Sequence, residues 1–269
     1  MSVLRAICLV ISLVASTQAG LVSLDFSNNT TPTNANHSEL GDFIAGAYSD
    51  FEEVAPGIDA RVTGFVIGNG HTYDGLFPNH GSGNLGFLYT GNNNAGDFGG
   101  IEVTIDFFES DGAVNDNTQL TTASTLDTFE LLFHDIDGEP GQSEFLQAFV
   151  ADGLVSYRVS NIDPVQVAFN STTYQFLGNG VNLDETDASG ATILRYRGTD
   201  SVTFRLFAQT FSNAPNGVFQ AIDGDMDTIP SSEFGAAVST PEPSSLLLSA
   251  FLGLGGLCVR RRRRQSRVG

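Results

Sequence analysis

A period of two, broken every few residues by glycine and asparagine, leaves this chain little choice of backbone. In Ile101–Phe107 (IEVTIDF), Ile101, Val103, Ile105 and Phe107 share one side, and Glu102, Thr104 and Asp106 share the other. Successive side chains of a strand point to opposite faces, so this pattern predicts a half-buried strand. The same alternation runs through Phe129–His134, Val165–Phe169 and Val202–Phe207. Further β-rich runs fall at Leu21–Phe26, Arg61–Ile67, Leu85–Tyr89, Phe145–Ala151, Leu154–Val159, Thr173–Leu177, Thr192–Tyr196 and Val218–Ile222. About twelve strands are expected in all. Turn-forming pairs such as Asp152-Gly153 and Asn216-Gly217 separate them. Only Ser38–Tyr48 offers a short helical pattern. Many short strands with Gly/Asn turns predict an all-β fold, an antiparallel jelly-roll-like β-sandwich. Phenylalanine supplies its aromatic core, with 21 Phe, six Tyr and no Trp.

The two ends do not belong to that pattern. Residues 1–19 carry one charge at Arg5, an apolar run at Ala6–Ala15 and small residues up to Ala19, followed by Gly20. This is the layout of a secretory signal peptide cleaved between Ala19 and Gly20, which implies the Sec export machinery and a signal peptidase. The expected organisation is a signal at 1–19, a β-sandwich body at 20–239 and a terminal segment at 240–269.

Charge then excludes several functions. The chain has no lysine; five of its twelve arginines and thirty of its thirty-one acids lie in 20–239, so the body carries −25. Such a surface repels phosphates, which argues against nucleic acid, and it attracts cations. The two cysteines, Cys8 and Cys258, fall in the end segments. The body therefore forms no disulfide and no thiolate metal site.

Two acidic clusters are candidate Ca²⁺ sites. His134-Asp135-Ile136-Asp137-Gly138-Glu139, followed by Glu144, places Asp135 and Asp137 on one side of a strand end. The bend at Gly138 is positioned to bring Glu139 or Glu144 alongside. Hard oxygen donors converging on a loop suit Ca²⁺, which takes six to eight of them. The competing reading is a solvated turn whose acids keep the surface soluble. The stretch FELLFHDIDGEPGQSEFLQAFVADG resembles a recurring segment of bacterial secreted β-sandwich proteins, in which a strand ends in Asp-Ile-Asp. VAPGIDA at Val54–Ala60 resembles the segment before it. The likeness implies the sandwich and favours Ca²⁺, and it names no reaction. The second cluster is Asp223, Asp225 and Asp227 (DGDMD). It opens like an EF-hand loop, but Thr228 replaces the turn glycine and Phe234 stands where Glu is required. A strand end with a loop site for Ca²⁺ is the remaining reading.

Enzyme signatures are absent: no G-x-S-x-G, H-E-x-x-H or G-x-x-x-x-G-K-[ST] occurs. No catalytic residue is expected. The alternative function is a carbohydrate-binding module or glycan-active enzyme on the jelly roll, with Tyr73, Tyr89 and Phe77 as stacking surfaces.

The terminal segment is the most specific feature. Pro241-Glu242-Pro243 can continue neither a helix nor a central strand and predicts an extended recognition site. Leu246–Val259 is apolar, and Arg260, Arg261, Arg262, Arg263 and Arg264 follow it. As a helix, Ser244–Val259 spans roughly 24 Å, short of the bilayer core of about 30 Å. Snorkelling arginines allow it to sit across as a short transmembrane helix, with the arginines cytoplasmic. The order Pro-Glu-Pro, short apolar helix, arginine cluster resembles the PEP-CTERM sorting signal. That resemblance implies export, temporary anchoring in the inner membrane and processing near Pro-Glu-Pro by an exosortase-type membrane enzyme. It further implies delivery to the cell surface or extracellular matrix, in association with exopolysaccharide and biofilm. The expected role is non-catalytic, structural or adhesive.

Overall fold

A computed structural model describes residues 20–28, 48–68, 72–80, 84–90, 95–96, 98–110, 120–138, 141–178, 180–184, 186–210 and 217–241. Its strands are β1 (Tyr48–Ala55), β2 (Ile58–Gly68), β3 (Thr72–His80), β4 (Asn84–Thr90), β5 (Phe98–Glu109), β6 (Leu126–His134) and β7 (Gln142–Phe149). They continue as β8 (Leu154–Val159), β9 (Gln166–Phe169), β10 (Thr173–Leu177), β11 (Thr192–Thr199), β12 (Ser201–Thr210), β13 (Gly217–Asp223) and β14 (Val238–Ser239). Three 3₁₀ turns are the only helical elements among the described residues.

The strands form two seven-stranded antiparallel sheets, β1-β2-β5-β12-β7-β10-β9 and β14-β8-β11-β6-β13-β4-β3. The alternation in β5 works as predicted: Ile101, Val103, Ile105 and Phe107 are buried, while Glu102, Thr104 and Asp106 are only half-buried. Phenylalanines join the sheets. Phe204 of β12 meets Phe133 of β6 edge-on at 5.0 Å and Phe87 of β4 at 6.3 Å. Phe107 of β5 meets Phe129 of β6 at 5.3 Å. Such T-shaped pairs suit the ring quadrupole. The architecture is the antiparallel sandwich that the sequence predicts.

Leu21–Phe26 departs from its expected strand. It makes one isolated parallel bridge, Val22 to Phe129, while Leu24 and Phe26 are buried in the core. Gly224 makes its approach possible, since a Cβ there would sit 2.5 Å from the Leu24 carbonyl oxygen. The Leu24 N–H donates to Gly224 O at 3.0 Å.

The sheet runs on almost to the sorting segment. β14 pairs with β8 (Val238 with Tyr157, Ser239 with Ser156). Thr240 then donates its N–H to Val155 O at 3.0 Å and its hydroxyl to Leu154 O. Among the described residues no helix is long and apolar enough to cross a membrane. The expected transmembrane helix at 244–259, Glu242, Pro243, Arg260–Arg264, the signal segment through Ala19 and the helical pattern at 38–47 lie outside the described residues. Tyr48, the end of that pattern, opens β1.

Candidate cation site

β13 carries Ile222 inward to the core, so the next residue, Asp223, faces out from its sheet. That outer face is covered. Residues 224–234 fold back over it and pack Ile229 and Phe234 against Leu132, Ile193 and Ala191, with Met226 alongside. Asp223 holds this cover in place. It is fully buried, and its Oδ1 accepts the N–H of Asp225 at 2.9 Å and of Met226 at 2.7 Å. Its Oδ2 accepts the N–H of Thr228 at 2.9 Å. Burial works to raise the Asp223 pKa, but the hydrogen bonds from Thr228, Asp225 and Met226 outweigh it and hold the carboxylate below its usual range.

The carboxylates of Asp223, Asp225 and Asp227 converge, each offering an oxygen within 4.8 Å of the others. They grade from buried Asp223 through half-buried Asp225 to exposed Asp227. The Asp225 Oδ1 atom is buried and accepts no hydrogen bond. Burial, the hydrogen bond to Asp223 and the charges of Asp223 and Asp227 push the Asp225 pKa up to about 7. Two carboxylates held this close resist ionising together without a compensating charge.

The first cluster is arranged differently. β6 ends at His134, and Asp135 takes a left-handed φ of 64° that turns the chain toward Gly138. Asp137 accepts the N–H of Gly138 and, at 2.5 Å, that of Leu183. Its carboxylate therefore braces the loop at 180–184. Gln142 and Glu144 share the inward face of β7 with Leu146 and Ala148. The Gln142 amide donates to Glu144 Oε1 at 3.4 Å, and Glu144 Oε2 is buried without a hydrogen-bond partner. Burial, then the charges of Asp137 and Asp135, raise the Glu144 pKa well above the carboxylate range. Among the described residues, the three-carboxylate group close enough to share one ion is Asp223, Asp225 and Asp227; Asp135, Asp137 and Glu144 do not form such a group. Glu139 lies outside the described residues.

The sequence reading missed Asn84 and Thr228. The Asn84 amide donates to the Thr228 hydroxyl at 2.8 Å, and that hydroxyl serves Asp223. Nothing in the local sequence around Asn84 marks it; only the pairing of β4 with β13 brings it to the loop. Tyr73 and Tyr89 stand opposite each other in β3 and β4. Their side chains, and that of Phe77, lie outside the described residues.

Among the described residues the fold is an all-β sandwich whose last paired strand is followed in sequence by Pro241-Glu242-Pro243. The PEP-CTERM protein-sorting motif matches residues 239–264. A tail of this kind implies an exported protein, anchored transiently in the membrane and sorted by exosortase-type machinery. Among solved structures, the chain is similar to the N-terminal domain of the Streptococcus gordonii adhesin Sgo0707, with a TM-score of 0.47 and 12% identity. That likeness covers 76% of this chain and spans 60% of the solved one. Comparison with curated proteins gives no match.

Proposed function

We propose that this is a cell-surface or extracellular-matrix protein with a non-catalytic, structural or adhesive role. In this reading, residues 1–19 direct export and the tail from Pro241 delivers the body to a matrix containing exopolysaccharide. The observation that carries it is the sorting motif at 239–264, joined to the sandwich with no intervening domain. The body's charge of −25 supports a highly solvated surface. In the candidate site, Asp223 is engaged in holding a loop, which supports a structural over a catalytic use of that carboxylate.

The test replaces Pro241, Glu242 and Pro243 with alanine in the producing cell and follows the tail by mass spectrometry of membrane and matrix fractions. Processed protein is expected in the matrix for the parent and unprocessed protein in the membrane for the variant. Equal processing of both would refute recognition at the triplet. A second reading, glycan binding, draws on Phe98, which is 41% exposed and stacks on Phe207 at 4.7 Å on the outer face of its sheet. Retention on immobilised exopolysaccharide that Phe98→Ala abolishes would favour it.

A further inference from the structure

Asn84 and Asp223 occupy the register position that follows Leu85 opposite Ile222, at the ends of β4 and β13. Side chains directly opposed on one face of an antiparallel pair have Cβ atoms about 4.5–5.5 Å apart. Ile222 and Leu85 point into the core, so Asp223 and Asn84 both point out, under the cover formed by 224–234. Asn84 is only 6% exposed, and its Oδ1 accepts no hydrogen bond. The amide's orientation follows from its neighbours. Thr228 gives its hydroxyl proton to Asp223, so it can only accept from Asn84, whose NH₂ must face it. The atom left over is a carbonyl oxygen, buried without a hydrogen-bond partner on the side chain that stands across the strand pair from Asp223.

Among the described residues no arginine is placed there, and the chain has no lysine. Arg61 pairs with Asp50, Arg195 with Glu130 and Arg205 with Glu102. Arg158 binds the carbonyls of Ser231, Phe234 and Gly235. Arg197 stands opposite Thr128, four residues along β6 from Leu132, the partner of Asp223. At about 3.3 Å per residue this is roughly 13 Å away. The body has no other arginine and no lysine.

We propose that Asp223, Asp225, Asp227 and the side-chain carbonyl of Asn84 form a Ca²⁺ site that ties the 224–234 cover to the ends of β4 and β13. The chemistry is selective. All four donors are hard oxygens, three of them anionic, and the 4.8 Å span is twice a Ca–O bond of about 2.4 Å. Solvent at the exposed Asp227 side completes the six to eight ligands that Ca²⁺ takes. Mg²⁺, with bonds near 2.0–2.1 Å and strict octahedral geometry, suits this loop less well. The site does not depend on the matrix role proposed above.

The test uses the full chain in mild detergent, titrated with CaCl₂ and MgCl₂ by calorimetry and melted in Ca²⁺ and in EGTA. One Ca²⁺ is expected at this site, with a Kd of about 10⁻⁴–10⁻³ M, as in extracellular modules. At roughly 100-fold excess over Kd, the Tm should rise by about 5–10 °C. Asp225→Asn with Asp227→Asn, which leaves Asp223 to hold the loop, should weaken binding at least tenfold and remove the shift. In EGTA the same variant should melt at or above the parent, because it has lost a like-charge repulsion. Asn84→Ala should weaken binding while the parent Tm in EGTA is approached. Asp135→Asn with Glu144→Gln should leave Ca²⁺ binding unchanged. No Ca²⁺ response, equal binding by the Asp225/Asp227 variant, or a lower Tm of that variant in EGTA would each overturn the proposal.

Discussion

Tyr196 presents a sharp test of how this core is built. Its ring is fully buried in β11 and stacks on Phe129 at 5.5 Å, yet its hydroxyl has no hydrogen-bond partner. Burial, with a smaller contribution from Asp152, raises its pKa far above that of an exposed phenol. Tyr196→Phe keeps the ring and its stacking and deletes only the orphaned group. An unsatisfied buried polar group costs about 1–3 kcal/mol, so the variant should be more stable by about 1–2 kcal/mol. For a body of this size that is a Tm increase of roughly 2–8 °C. The second readout is alkaline pH. The folded phenol keeps its proton while the unfolded one loses it above about 10. Parent stability is therefore fully present below pH 10 and falls as pH rises beyond it, toward the raised folded pKa. The variant should lack this component of the decline. Urea unfolding at pH 7 and at pH 10.5–11 measures both. A destabilised Tyr196→Phe, or identical alkaline sensitivity, would refute the reasoning and mean that the hydroxyl is satisfied.

Other consequences are as direct. Phe204→Ala removes the ring shared by Phe87 and Phe133 and should cost about 3–5 kcal/mol, read as a lower urea midpoint with little change in slope. Glu144→Gln should flatten the pH dependence of stability: the raised folded pKa makes parent stability fall as pH climbs from about 4.3 through that value, and the amide does not titrate. Thermal melts from pH 4 to 8 measure this. Gly178→Ala would put a Cβ 2.6 Å from the Ile136 carbonyl oxygen and should destabilise by about 1–3 kcal/mol, seen by the same melts.

Several strands with one wet face were legible residue by residue, but β9 was not: Val167 and Phe169, expected on its buried side, are exposed. Leu154–Val159 and Thr173–Leu177 carry the boundaries that alternation predicts, and β2, β5 and β12 extend theirs by a few residues. β3 was not legible, because TYDGLFPNH holds Gly, Pro and Asn that normally interrupt strands. It survives as the outermost strand of its sheet, where two register shifts absorb those residues. β6 shows another limit. Leu132 stands where alternation calls for a polar side chain, and the reason is the cover that Ile229 and Phe234 lay on that face. The acids of the candidate site were visible as DGDMD. Their convergence, and the arrival of Asn84 from 139 positions away, depend on sheet register, which local pattern does not encode.

The stitching of Thr240 to β8 has a mechanical consequence for the anchored protein. From Pro241 to Ser245 only five residues precede the first leucine of the apolar run. Fully stretched, that leash reaches at most about 17 Å. A body of some 220 residues has a radius of gyration of about 17 Å, so it is denied the free tumbling that a long linker allows. On the anchoring proposed above, the β8–β14 edge, where the chain leaves the sheet, is the part of the body held nearest the headgroups. Six interstrand spacings of about 4.8 Å set the β3 edge roughly 29 Å across the sheet from that footing. On that reading, the β3 edge is the side of this sheet farthest from the tether until the tail is processed.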